Sequence, residues 1–131
     1  PIHDFSISKN GSDYTEDILN KDGYTFLMVC YNISKTDKEV FAKKINPFVA
    51  ECDKAKIPVI GMSASVDAEV EAFRHEVQAA FDFYTTDETT LKTIIRSNPG
   101  LVLLKKGTVV DMWHYNDFPT FEEFKAKHPL N

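Results

Sequence analysis

Cys30 and Cys52 are the chain's only two thiols. They are too few for a disulfide scaffold, and their spacing matches no zinc motif. His3, His75, His114 and His128 are scattered, none paired at metal-ligand spacing, so no metal and no other cofactor is expected. Ser34 and Asp37 lie close together in Asn32-Ile33-Ser34-Lys35-Thr36-Asp37-Lys38. A serine nucleophile needs a base within hydrogen-bond reach, and none can be placed beside Ser34. The same stretch offers Thr36-x-x-Glu39, a capping box, and Ser34-x-x-Asp37, a looser form of it. Asn10-Gly11-Ser12 and Asn32-Ile33-Ser34 fit the glycosylation sequon, but the first reads as a turn and the second as a strand end. Arg74-His75-Glu76 reads as a solvated helix face, and Trp113, His114 and Tyr115 as cover for a sheet edge.

Composition narrows the function classes. The 131 residues carry 15 Lys and Arg against 20 Asp and Glu, a formal charge of −5. The lysines are interleaved with acids rather than gathered, so nucleic acid is a poor partner. No apolar stretch approaches the ~18 to 20 residues that cross a bilayer, so this segment is not expected to insert. Ten Phe and five Tyr supply one core, and a second is not expected in a chain of this length. The chain begins at Pro1 rather than Met, which points to a fragment or processed product of something longer.

The elements that must position these residues follow from periodicity. Residues 3–8 alternate and precede a Lys-Asn-Gly-Ser turn, as a short strand would, and 13–20 suit a short helix. Tyr24 to Tyr31 is a nearly continuous apolar run, the signature of a central strand covered on both faces. From Asp37 to Ala55 the positions Val40, Phe41, Ile45, Phe48, Val49 and Cys52 mark an amphipathic helix that Pro47 should kink or divide. A buried strand at 57–62 and a helix at 66–79 come next. A short strand at 81–84 precedes a helix capped by Asp87 and running to Arg96. Strands at 101–104 and 109–114 are joined by a tight Lys105-Lys106-Gly107-Thr108 reversal, and a helix at 120–128 ends the chain. Handedness makes strand 57–62 parallel to 24–31, with the hairpin antiparallel on the other side.

This order, with Ser97-Asn98-Pro99-Gly100 leading into Leu101-Val102-Leu103-Leu104, resembles the thioredoxin fold, and within it the TlpA-like and peroxiredoxin-like branch. In that branch a proline, usually cis, precedes an apolar strand, a glycine turn and a second strand, and Pro99 falls at that place. Pro1 to Ile7 is similar to the N-terminal strand that peroxiredoxin-like chains add. The tail Asp111-Met112-Trp113-His114 is also similar to thioredoxin-like domains appended to DoxX-type membrane proteins of Bacteroidetes. That likeness implies an extracytoplasmic or membrane-tethered setting, reached through flanking sequence.

The departure from the family carries more information. The resemblance places a Cys-x-x-Cys at the start of the long helix, where helix-end amides lower a thiol's pKa. Here Ser34-Lys35-Thr36-Asp37 stands there, and no Cys occurs between 31 and 51. Cys30 precedes the corner, inside the strand. Cys52 lies on the order of 20 Å along the helix from its start, too far for the two to bridge. The expectation is an α/β, three-layer thioredoxin-like domain without dithiol chemistry, not an enzyme. Its degenerate corner, Ser34, Lys35, Thr36, Asp37, Asn98 and Pro99, would offer free backbone groups to an extended protein or peptide partner. The alternative is a single-thiol oxidoreductase using Cys30 or Cys52.

Overall fold

A computed structural model describes residues 6–130. Its sheet has seven strands: β1 (Ser8–Lys9), β2 (Ser12–Asp13), β3 (Tyr24–Val29), β4 (Val59–Ser63), β5 (Phe83–Thr85), β6 (Gly100–Lys105) and β7 (Thr108–His114). Their spatial order is β2-β1-β5-β4-β3-β6-β7. β3 is central, parallel to β4 and antiparallel to β6, as the handedness argument requires. The helices are α1 (Thr15–Leu19), α2 (Asn46–Lys54), α3 (Asp67–Val77), α4 (Glu88–Ile94) and α5 (Phe121–Lys127).

The apolar run in β3 becomes intelligible in section. Phe26, Met28 and Cys30 point into a core shared with Phe48, Val49 and Cys52 of α2, Val70 and Phe73 of α3, and Phe121 and Phe124 of α5. Leu27 and Val29 point the other way, toward Ile18 of α1 and Leu91 of α4. β6 repeats the alternation, with Leu101 and Leu103 on one side and Val102 and Leu104 on the other. Side chains of opposite parity thus fill two cores, and helices close both faces.

Three elements differ from the sequence-based expectation. Of the strand expected at 3–8, Ser6 and Ile7 are outside any strand and only Ser8 is in one, as the start of the hairpin β1–β2, turned at Asn10 and Gly11, both at positive φ; residues 3–5 of it lie outside the described residues. The strand 24–31 stops at Val29, because the chain turns away at Asn32 to build the corner described below. The long helix runs continuously over 39–54, but Phe41–Ile45 is π-helical. Proline has no N–H to offer the carbonyl four residues back. Just ahead of Pro47 the ladder widens, and the Asn46 N–H bonds the Phe41 carbonyl, five residues back. Pro47 neither breaks nor divides the helix; it sits in the first turn of α2. The reversal between β6 and β7 holds Lys106 and Gly107 at φ 52° and 76°, the left-handed pair of a tight hairpin turn.

Candidate functional site

The corner at the carboxyl end of β3 is built around Asn32. Its side-chain Oδ1 accepts from the Ser34 N–H at 3.1 Å and the Ser34 hydroxyl at 2.7 Å, an Asx turn that starts the 3-10 turn Ile33–Lys35. The Ile33 N–H donates to Ser65 Oγ at 3.1 Å, tying this turn to the segment after β4. Opposite stands Asn98, whose peptide bond to Pro99 is cis. Asn98 Nδ2 donates to the Asn32 carbonyl at 2.7 Å. The Thr36 hydroxyl lies 2.7 Å from Asn98 Oδ1 and 2.9 Å from the Asn32 carbonyl, both acceptors for its single proton. The Asp37 N–H donates to the Asn98 carbonyl at 3.3 Å.

All six corner residues expected from sequence are therefore gathered in one place, and the hydroxyls of Ser34 and Thr36 and the side chain of Asn98 are bonded within the corner. The Asn98 carbonyl accepts from the Asp37 N–H of the facing turn. Ser34 gives its hydroxyl to Asn32 and has no base among its bonded neighbours. Thr36 does not form the capping box with Glu39, since its hydroxyl is committed to Asn32 and Asn98. Capping falls to Asp37, whose Oδ1 accepts from the Val40 N–H at 3.4 Å.

On the far side of Pro99, the Ser97 hydroxyl donates to the Pro99 carbonyl at 2.6 Å and accepts from the Tyr115 N–H at 2.9 Å. This pins the loop before β6 to the segment after β7. Gly100 is required here: a Cβ would come within 2.9 Å of the Ser97 carbonyl oxygen. Beside the corner lies a cleft of about 600 Å³ lined by Tyr31, Lys35, Asp37, Arg96, His114 and Tyr115, among others. Arg96 and Tyr31 were not singled out from sequence. Nor was Asn32 as an organiser, although its Asn-x-Ser pattern is the Asx-turn signature that would have found it.

Both thiols are free and have no solvent exposure. Cys30 packs directly beneath the corner, and its N–H bonds the Met62 carbonyl at 2.8 Å. Burial pushes its pKa far up, with a hydrogen bond to Thr36 pulling weakly the other way. Cys52, on α2, is pushed up to about 12 by burial, and the nearby Glu51 carboxylate adds to the rise. Nucleophilic sulfur is thiolate, so neither group is activated. Among the described residues, no three His, Cys, Asp or Glu are grouped to hold a metal ion. No helix there is long and apolar enough to cross a membrane.

No family model matches the chain, and no curated protein matches it. Solved structures do. The thioredoxin domain of a thiol-disulfide oxidoreductase from Bacteroides vulgatus superposes with a TM-score of 0.65 at 12% identity, covering 97% of this chain and 92% of that one. A thiol:disulfide interchange protein from Bacteroides sp. gives 0.65 at 12%, covering 96% and 84%. A cysteine-to-serine mutant of peroxiredoxin Q from Xanthomonas campestris gives 0.59 at 16%, covering 84% and 79%. The chain has the thioredoxin-like fold.

Proposed function

We propose that this domain belongs to the TlpA-like branch, has lost dithiol chemistry and serves as a binding or docking module. The face it would use is the corner of Ser34, Lys35, Thr36, Asp37, Asn98 and Pro99 with its adjoining cleft. The observation that carries this reading is the burial of both thiols, Cys30 under the corner and Cys52 on α2, with the Asn98 side chain and the Thr36 hydroxyl bonded within the corner. A redox site needs the opposite: a thiolate exposed to its substrate and stabilised by free donors. Membrane attachment through flanking sequence is part of the same reading, and it rests on the resemblance to DoxX-associated domains. Recovery of a full-length open reading frame without membrane-spanning segments would remove it.

The expected outcome of insulin-reduction and peroxide-consumption assays is no turnover above background. Turnover that disappears in Cys30→Ser or Cys52→Ser would overturn the redox-inactive reading. Cys30 supports a second reading, single-thiol exchange, because it alone lies at the corner and meets the Thr36 hydroxyl. Rapid alkylation of Cys30 in the native protein at neutral pH would favour that reading, whereas slow labelling of both thiols fits packing residues.

A further inference from the structure

Three lysines without an ion pair collect at the amino end of β3, the pole of the sheet opposite the corner. Tyr24, the first residue of β3, stands across from Lys105, the last of β6, about 17 Å along the strand from Val29 and the corner. Around that pair lies a cleft of about 540 Å³, a volume within the range of small-ligand sites. Its lysines come from three parts of the chain: Lys21 after α1, Lys56 between α2 and β4, and Lys105 at the end of β6. Among the described residues no carboxylate pairs with any of them, although most lysines of this chain have such a partner. The single carboxylate of the lining, Asp22, already pairs with Lys106 at 3.5 Å. A chain of formal charge −5 thus keeps a local excess of positive charge here.

Two of the cations at this pole stand where the backbone favours another residue. α2 ends in a Schellman motif: the Lys56 N–H donates to the Asp53 carbonyl at 3.1 Å and the Ile57 N–H to the Cys52 carbonyl at 2.9 Å, with Lys56 at φ 61°. Glycine is the usual occupant of that left-handed position. Lys106, at φ 52°, opens a turn whose first central residue is commonly Asn, Asp or Gly. Local conformation does not account for lysine at either place. Half-buried Tyr24, Ile57 and Pro58 wall the cleft, and Lys105 Nζ sits 5.2 Å from the centroid of the Tyr24 ring, which steadies it there.

We infer that this cleft binds a phosphate group, carried by a phosphomonoester or a polyphosphate. An ammonium is a point charge and lacks the planar fork with which arginine matches a carboxylate, and no arginine lines the cleft. A phosphate offers what three separate ammonium groups need: a charge of about −2 and three oxygens that accept from different sides. The apolar wall of Tyr24, Ile57 and Pro58 keeps water from one side of the bound group and strengthens its contacts with the lysines. The cleft shares no residue with the corner, so either reading can fail without the other.

Tripolyphosphate is the probe, titrated calorimetrically at low ionic strength, where screening is weak. The wild type should bind it. Lys21→Gln, Lys56→Gln and Lys105→Gln should each weaken binding about tenfold, as loss of one charge-assisted hydrogen bond does, while Lys44→Gln, at an exposed lysine outside the cleft, should leave it unchanged. Lys56→Gly separates binding from folding: it should raise the urea midpoint, because glycine suits φ 61°, and still weaken binding about tenfold. Vesicles of equimolar phosphatidic acid and phosphatidylcholine distinguish the source of the phosphate. Cosedimentation that Lys56→Gly weakens assigns it to lipid headgroups, and tripolyphosphate binding without cosedimentation assigns it to a soluble ligand. The proposal is overturned by binding to neither, by an equal loss in Lys44→Gln, or by poly-glutamate binding more tightly than tripolyphosphate.

Discussion

Asn98 and Thr36 each do work that a sheet or helix does elsewhere: they close off main-chain groups where the chain leaves regular structure. Removing the Asn98 side chain deletes two hydrogen bonds, its own to the Asn32 carbonyl and the one it accepts from Thr36, while the Asn32 carbonyl keeps the Lys35 N–H and the Thr36 hydroxyl. Asn98→Ala should therefore lower stability by about 1–3 kcal/mol, the net worth of two hydrogen bonds, as read from urea unfolding. It should also speed native-state alkylation of Cys30, which packs under Thr36, while Cys52 on α2 stays as slow as before. Equal acceleration at both thiols would mean global loosening rather than an opened corner. From sequence, the absence of a thiol at Ser34-Lys35-Thr36-Asp37 was plain, and so was the pairing of that turn with Pro99. The use of each polar group was not. Thr36 has a carboxylate three residues ahead, as a capping box requires, yet its hydroxyl goes to an asparagine sixty-two positions away. Local pattern cannot anticipate a competitor so distant in the chain.

Among elements, the ones with buried faces were legible and the ones set by a single hydrogen bond were not. β3 and β6 are apolar on consecutive residues because both their faces are covered, and their signal is strong. The widened turn at Phe41–Ile45 leaves no trace in periodicity beyond Pro47 itself. α5 was also predictable: Thr120 and Glu123 form the capping box reciprocally, at 3.1 and 2.8 Å. Its Phe124 has no solvent exposure and lies 4.9 Å from Phe26 and 5.7 Å from Tyr24 between ring centroids. Phe124→Ala should cost about 3–5 kcal/mol, seen as a lower urea midpoint. If the loss is under about 1 kcal/mol, in the range of a surface substitution, Phe124 does not anchor α5 in the core it shares with β3.

For the molecule as a whole, two buried thiols make stability depend on alkaline pH. A thiol in the unfolded chain ionises near pH 8.5, whereas burial raises both native values, Cys52 to about 12. Below pH 8.5 both states keep the proton, and the full stability is present. Above it the unfolded state binds fewer protons, and stability falls by about 1.4 kcal/mol per pH unit for each thiol until the native group also ionises. Cys52→Ala should be less stable than wild type at pH 7 but lose stability less steeply between pH 8.5 and 10.5. Parallel slopes in urea titrations would contradict the assignment.

The hydrogen bond between Asp37 and the Asn98 carbonyl also bears on selectivity. A visiting main chain would share this carbonyl with the Asp37 N–H, through its second lone pair, rather than have it alone. Discrimination among visitors would then fall to side chains such as Lys35, Arg96 and Tyr115 around the cleft.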